Sequence, residues 1–252
     1  MSQRSEQNTD ELFGRVLEAG EDVTQIRSLL SEAPFDDLLL TAVLRRAVSA
    51  RFLDELAKTP PWSQRPRILA TIVLSPGCSR GLAQRLVASL YWADLATIAT
   101  TMRVPSAVRV RAEGLLCDRL PEMRMGERIS LAKRATAPVL RTLMADSEAG
   151  VAAATLLNPR LREEDLVIAI RHERVAVSLI EAVVASPRWR EDYKVRLELV
   201  LQRRTPLSVA LGQLTALRSS DLRRIIATPG IATIVRMAAE RVVRELSGKP
   251  DS

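Results

Sequence analysis

The chain has 252 residues, of which 47% are hydrophobic and only 3% are aromatic. This length suits one large domain or two small ones, and the scarcity of aromatic residues argues against a sheet-rich fold. The net charge is +7, and arginine supplies 33 of the 37 basic residues.

The N-terminal stretch MSQRSEQNTDELFGRVLEAGEDV lacks the apolar core of a signal peptide, and no run of 18 apolar residues occurs in the chain. We therefore expect a cytoplasmic protein with no membrane partner. Two cysteines, Cys78 and Cys117, and one histidine, His172, are too few for a disulfide framework or a site with two imidazoles. No phosphate-loop, dinucleotide or metalloprotease motif occurs. The sequence thus predicts neither a cofactor nor a metal.

Apolar residues recur at helical spacing along the chain. Tyr193, Leu197, Val200 and Leu201, for example, follow steps of four, three and one, which places them on one helix face. Alanine, leucine, arginine and glutamate, all good helix formers, dominate these stretches. The pattern predicts an all-α fold of about eight to twelve helices, each of roughly 10 to 15 residues.

Six prolines follow a small polar residue. Serine, threonine or asparagine can cap a helix, and proline at the first helical position needs no amide partner. We therefore predict that a helix begins at each of these pairs: Thr59-Pro60, Ser75-Pro76, Asn158-Pro159, Ser186-Pro187, Thr205-Pro206 and Thr228-Pro229.

The chain aligns with itself, without a gap, when position 36 is placed over position 163. We call this offset the repeat shift. Residues 36–118 then lie over residues 163–245, and the identical pairs include Pro60/Pro187, Trp62/Trp189 and Asp94/Asp221. Such internal similarity is the signature of a repeat architecture, so we predict two tandem copies of a block of about 127 residues. The copies comprise residues 1–127 and 128–252, stacked as one continuous array.

The segments LLNPRLREEDL, ASPRWREDY and RRTPLSVALGQL resemble repeats of bacterial HEAT-like and leucine-rich-repeat-variant α-solenoids. This resemblance covers roughly residues 34–246. It implies a HEAT-like superhelix of stacked short helices with a binding role, and it carries no catalytic residue over to this chain. The first functional hypothesis is therefore a non-catalytic module for protein–protein interaction or scaffolding, with another protein as its partner.

The basic charge lies in the second block. Residues 1–127 carry 16 basic and 16 acidic side chains, whereas residues 128–252 carry 21 and 14. Residues 188–244 alone hold 12 basic and 5 acidic ones. A second hypothesis is therefore nucleic-acid binding through this segment, although arginines on ordinary solvated helix faces would give the same count. The candidate binding residues are Arg188, Trp189, Arg190, Arg203, Arg204, Arg223 and Arg224.

Several aromatic and acidic residues allow two interpretations. Trp62 and Trp189 either fill joints between helices, which the repeat favours, or act as exposed anchors for a partner. Asp94 and Asp221 are predicted to cap helices. A third hypothesis comes from Trp92 beside Asp94, because this cluster resembles the alkyl-purine DNA glycosylases built on HEAT-like repeats, which hold a flipped nucleotide. We expect Cys117 to be buried and His172 to be exposed between helices.

Overall fold

The computed structural model describes residues 3–32 and 36–247, and the described residues form helices and loops without a strand. The all-α prediction is therefore confirmed. The eighteen α-helices are α1 (Gln3–Ala19), α2 (Val23–Glu32), α3 (Asp37–Leu44), α4 (Ala50–Leu56), α5 (Pro66–Leu74), α6 (Arg80–Leu86), α7 (Trp92–Thr100), α8 (Ser106–Arg119), α9 (Met125–Ala132), α10 (Ala137–Leu143), α11 (Ala149–Leu156), α12 (Glu163–Arg171), α13 (Val177–Ala185), α14 (Pro187–Arg190), α15 (Tyr193–Leu201), α16 (Leu207–Gln213), α17 (Ser219–Ala227) and α18 (Thr233–Ser247). Four 3₁₀ turns lie between them, at Trp62–Gln64, Val87–Ser89, Leu120–Glu122 and Leu214–Ala216.

The number of helices exceeds the eight to twelve that the sequence predicted. Most of the helices have only two or three turns, for example α5 with 9 residues and α6 with 7 residues. Helices this short are marginal in isolation, so their stability must come from the apolar faces that they bury against neighbours. The loops between them are correspondingly tight.

The chain divides into two compact units, Met1–Glu122 and Met123–Ser252, which we call unit 1 and unit 2. The predicted blocks 1–127 and 128–252, and their stacking as one array, stay predictions. In unit 1, α1 packs on α3, α3 on α5 and α5 on α7, while α2 packs on α4 and α6 on α8. In unit 2, α10, α12, α15 and α17 pack in that order, while α9 packs on α11, α11 on α13 and α16 on α18.

Helix bounds recur at the repeat shift. The helices α5, α6 and α7 begin and end at the positions that this offset aligns with the bounds of α15, α16 and α17, respectively. The 3₁₀ turns at Val87–Ser89 and Leu214–Ala216 are related in the same way. Upstream the correspondence fades, because the single long helix α1 stands where the second half has α9 and α10.

Two of the six polar-proline pairs end a helix rather than begin one. Ser75 and Thr228 follow the last residues of α5 and α17, and the prolines after them lie in turns. The physical reason is the steric clash that keeps a residue before proline out of the helical region. Ser186-Pro187 alone behaves as predicted, with Pro187 as the first residue of α14. At Thr205-Pro206 the proline itself is the cap of α16.

The remaining two pairs also lie outside helix starts. Asn158 is fully buried, and its side-chain amide donates hydrogen bonds to the carbonyls of Ala132 (2.6 Å) and Ala135 (3.2 Å). Thr59-Pro60 precedes the 3₁₀ turn at Trp62–Gln64. Among the described residues, side chains that do cap helices by accepting backbone amides include Asp22, Asp36, Ser49, Ser79 and Asp192.

The acidic residues shared by the two halves are not helix caps. Asp94 and Asp221 lie in the first turns of α7 and α17, whose cap residues are Tyr91 and Arg218. The capping prediction is therefore wrong, because each aspartate lies three residues after the cap residue of its helix. A carboxylate in the first turn still interacts favourably with the helix dipole, and Asp221 also accepts the hydroxyl of Tyr193.

Two glutamates are buried within the core and are paired with arginines. Glu55 accepts the Arg27 guanidinium at 2.8 Å, and Glu198 accepts Arg171 at 2.5 Å. The hydrogen bond from Arg27 holds the pKa of the Glu55 carboxyl below its ordinary value, against the opposing effect of burial. Each pair joins helices in the same unit, α2 to α4 and α12 to α15.

Candidate functional site

The seven candidate binding residues do not form a single patch. Residues 188–190 lie in α14, before the start of α15, whereas residues 203–204 follow its end. A nine-residue helix is about 13 Å long, so the two groups lie at opposite ends of α15. The third pair, residues 223–224, lies on an exposed face in the middle of α17. Whether any of the seven binds a partner stays a prediction.

Trp189 is a packing residue. Only 4% of its surface is exposed, and its indole N–H donates to the carbonyl of Leu156 at 3.0 Å. Trp62 lies at the position of unit 1 that the repeat shift aligns with Trp189, and only 3% of its surface is exposed. Both rings therefore fill joints between helices, and the alternative of exposed anchors is wrong. The guanidinium of Arg188, which is exposed, stacks on the Trp189 ring at 4.4 Å.

Three other arginines of the set, Arg190, Arg203 and Arg204, contact uncharged groups. Arg190 and Arg204 donate to the carbonyls of Val184 (3.5 Å) and Val175 (3.0 Å). The guanidinium of Arg203 lies so close to Gly230 that a Cβ built there would be 2.0 Å from Nη2. These contacts hold the side chains in place, yet they leave the positive charges without carboxylate partners.

Much of the positive charge in residues 188–244 is unneutralised. Among the described residues, only two of its twelve basic side chains lie within 4.0 Å of a carboxylate. These are Lys194, which contacts Glu163 at 2.6 Å, and Arg241, which contacts Glu245 at 2.8 Å. The segment therefore presents a positive field to any approaching anion.

A cleft in unit 2 lies between α10, α12 and the loop 172–176, with a volume of about 230 Å³. Arg141, held by Asp165 at 2.8 Å, and the side chain of Ile168, 65% exposed, form part of its wall. His172 lies at the rim and is exposed, as predicted, with Nδ1 accepting the Arg174 amide. The cleft combines an apolar wall with cationic groups, which suits an apolar side chain next to a negative charge.

The glycosylase hypothesis gains no geometric support. Trp92 and Asp94 are half-buried in the first turn of α7, next to the exposed Tyr91. Two clefts in the described part of unit 1, one between α4 and α6 and one between α1 and α2, are lined by other residues. A base-flipping enzyme requires an aromatic pocket around the target base.

The two cysteines are half-buried, so the prediction of a buried Cys117 is wrong. Burial, together with the charge of Asp54, raises the pKa of the Cys78 thiol to about 11 from its ordinary 9.0. The thiolate is the reactive form of cysteine, so Cys78 should be a poor nucleophile at neutral pH.

We expect Cys78 to react with a thiol reagent at pH 8 about a hundred times more slowly in the folded protein than in urea, because its thiolate fraction falls from about a tenth to about a thousandth. The measurement is the rate of alkylation in a Cys117→Ser background. Asp54→Asn is the matched variant, and it should accelerate labelling of the folded protein by removing the negative charge. Equal rates in the folded and unfolded chains would show that the thiol is unperturbed.

Within the described ranges, no group of three or more histidine, cysteine, aspartate or glutamate side chains is arranged to hold a metal ion. The same part of the chain contains no helix with the length and apolarity to cross a membrane. No protein-family model matches the chain, and no curated protein or solved structure matches it significantly. The resemblance to HEAT-like and leucine-rich-repeat-variant proteins therefore depends on its short sequence segments, while the many stacked short helices are compatible with a helical repeat fold.

Proposed function

We propose that the protein is a non-catalytic α-helical repeat protein, a solenoid of two related blocks, that serves as a binding or scaffolding module for another macromolecule. In a solenoid each repeat contacts only its neighbours, and the exposed helices and loops form an extended binding surface. The order of helix packing within each unit, and the recurrence of helix bounds at the repeat shift, support this proposal.

The hydrogen bonds between elements of unit 2 have the same local character. Arg141 and Asp165 are 24 residues apart in sequence, Tyr193 and Asp221 are 28 apart, and Trp189 and Leu156 are 33 apart. These separations correspond to one helical repeat, so each repeat is held mainly by the next. Such local contacts are typical of repeat proteins.

The unneutralised charge between residues 188 and 244 is the observation that favours a particular kind of partner. Ten of its twelve basic side chains have no carboxylate within 4.0 Å among the described residues. A surface of this kind attracts an anionic macromolecule, either an acidic protein or a nucleic acid.

The experiment is a titration of the full chain with heparin, poly-L-glutamate and duplex DNA, and with poly-L-lysine as the control, at about 50 and about 200 mM salt. At least one polyanion should bind and should bind more weakly at the higher salt concentration, while the polycation should not bind. If none of the polyanions binds at the lower salt concentration, the proposed function is contradicted.

A further inference from the structure

Four loops of unit 2 lead into the helices α10, α12, α15 and α17. They comprise residues 133–136, 157–162, 186–192 and 214–218, and α14 lies within the third. Because these four helices pack side by side in that order, the loops at their N-terminal ends form a row along one edge of the unit. We call this row the basic ridge.

Hydrogen bonds join each loop of the basic ridge to the next. Asn158, in the second loop, donates to the carbonyls of Ala132 and Ala135 around the first. Trp189, in the third loop, donates to Leu156, the residue before the second. The amide of Arg218, in the fourth, donates to the Tyr193 hydroxyl at 3.1 Å, directly after the third. The row is therefore continuous.

The basic ridge carries most of the charge difference between the two halves of the chain. Its loops contain two carboxylates, Glu191 and Asp192, and seven cations, for a net charge of +5. Residues 128–252 carry a net charge of +7 and residues 1–127 a net charge of zero, so the ridge holds most of the excess. Its cations are Lys133, Arg134, Arg160, Arg162, Arg188, Arg190 and Arg218.

Three guanidinium groups of the ridge, those of Arg160, Arg188 and Arg218, are held in place without a carboxylate partner. Arg188 stacks on Trp189 at 4.4 Å, and Arg218 stacks on Tyr193 at 4.9 Å, both as exposed side chains. Arg160 donates to the carbonyl of Arg134 at 3.2 Å. None of Arg160, Arg188 and Arg218 has a carboxylate within 4.0 Å among the described residues. A stacked guanidinium keeps its N–H groups free for bidentate contact with a phosphate.

The carboxylates near the ridge are largely occupied. Asp192 accepts the backbone amides of Lys194 and Val195, and Glu163 accepts the ammonium of Lys194. Asp221 accepts the hydroxyl of Tyr193. The exposed Glu164 and Glu191 remain, and two charges are too few to balance the ridge.

Two of the ridge arginines occupy positions that are unfavourable for a cation. Arg162 and Arg218 are the cap residues of α12 and α17, and neither side chain caps its helix. Serine, threonine, aspartate and asparagine stabilise helices at this position, and a positive charge is repelled by the positive end of the helix dipole. Helix stability therefore does not explain these arginines, whereas an anion bound beside them would.

We propose that the basic ridge binds the phosphodiester backbone of a nucleic acid without reading its bases, an inference that rests on the proposed function. Side-by-side helices are spaced about 8–10 Å apart, so successive loops of the ridge span about two to three charges of a nucleic-acid strand, in which one charge occurs about every 3.4 Å of axis. An interface for a protein would need an apolar centre, whereas Leu157, 74% exposed, is the one exposed large apolar side chain in these loops. Interfaces for nucleic acids are polar and strongly positive, as this ridge is.

The test compares two double variants that change the net charge of the full chain equally. Arg162→Asp with Arg218→Asp alters the ridge at positions where aspartate is a favourable helix cap. Arg223→Glu with Arg224→Glu alters the exposed face of α17, away from the ridge. Binding of a labelled duplex DNA of mixed sequence, and of one of its strands, is measured by fluorescence anisotropy over a range of salt concentrations.

The ridge variant should bind at least about tenfold more weakly than the natural chain, and the slope of log affinity against log salt should fall by about two, because two phosphate contacts are lost. Its melting temperature should not decrease. The α17 variant should lose less than about threefold in affinity, as expected for a change in long-range charge alone. Unrelated DNA sequences should bind with similar affinity, since backbone contacts carry no sequence information.

The inference is overturned if both variants weaken binding equally, if the ridge variant binds DNA normally, or if the ridge binds poly-L-glutamate more tightly than DNA. The last result would indicate that the ridge binds an acidic protein rather than a nucleic acid. In each of these cases a polyanion still binds, and the proposed function stands. Failure of the natural chain to bind any polyanion would contradict both proposals.

Discussion

Replacing Trp189 with alanine is expected to lower the free energy of unfolding of unit 2 by about 3–5 kcal/mol, the range for truncating a large buried aromatic side chain. The indole is 4% exposed and fills the joint between α13 and α15. Alanine would leave a cavity there and would deprive the Leu156 carbonyl of its 3.0 Å hydrogen bond. The measurement is urea denaturation followed by circular dichroism at 222 nm, a wavelength that reports helix content.

Two further variants separate the contributions to this effect. Trp189→Phe retains most of the apolar volume but removes the N–H donor, so it should cost about 1–3 kcal/mol for the unsatisfied carbonyl. Tyr91→Ala removes an aromatic side chain that is 64% exposed and should change stability by less than about 0.5 kcal/mol. If Trp189→Ala were no more destabilising than Tyr91→Ala, the indole would not be a structural joint.

The burial of both tryptophans was predictable from the sequence because they occur at equivalent positions of the predicted repeat. When a residue recurs in both predicted copies, a role in the structure that the copies share explains it better than a function of one copy does. The helical class was predictable for a similar reason, since the spacing of apolar residues is a local property. The boundaries were harder to predict. A pair such as Ser75-Pro76 satisfies the rules for a helix start and also those for a helix end, and the structure uses it as an end.

The candidate site was predictable only at the level of which half carries the charge. Counting basic and acidic residues placed the excess positive charge in the second block. It also identified Arg188 and Arg190, which lie on the basic ridge. It also selected Arg203 and Arg204, which lie at the far end of α15, and it passed over Lys133, Arg160 and Arg162. These residues are brought together because helices of successive repeats pack side by side. A window of charge along the chain cannot detect such a row.

The two halves also differ in how neighbouring loops approach one another. Positions 48 and 77 of unit 1 align with positions 175 and 204 of unit 2. In unit 2, Arg204 donates a hydrogen bond from its guanidinium to the Val175 carbonyl at 3.0 Å. In unit 1, Gly77 approaches the Val48 carbonyl so closely that a Cβ built on the glycine would lie 2.0 Å from the oxygen. The Val175 carbonyl thus accepts a hydrogen bond from an arginine side chain, whereas the aligned Val48 carbonyl lies against the backbone of a glycine.

Gly77→Ala is therefore expected to destabilise unit 1 by about 1–3 kcal/mol, the range for overpacking a close contact. The added methyl group would meet a backbone carbonyl, which cannot move aside as the end of a flexible side chain would. Val48 is buried and directly precedes Ser49, whose hydroxyl accepts the Phe52 amide at the start of α4. Displacing Val48 would disturb this cap as well, so the loss should lie in the upper part of the range.

Gly81→Ala provides the matched control, because a Cβ built at that position in α6 has no atom within 4 Å apart from the neighbouring backbone of its own helix. Alanine is a better helix former than glycine, so this variant should be neutral or more stable by up to about 1 kcal/mol. The midpoint of urea denaturation should therefore be lower for Gly77→Ala than for the natural chain. For Gly81→Ala it should be equal to or higher than that of the natural chain. Equal stability of both variants would show that the loop at residues 75–79 can retreat from Val48 without loss, and that glycine is not required there.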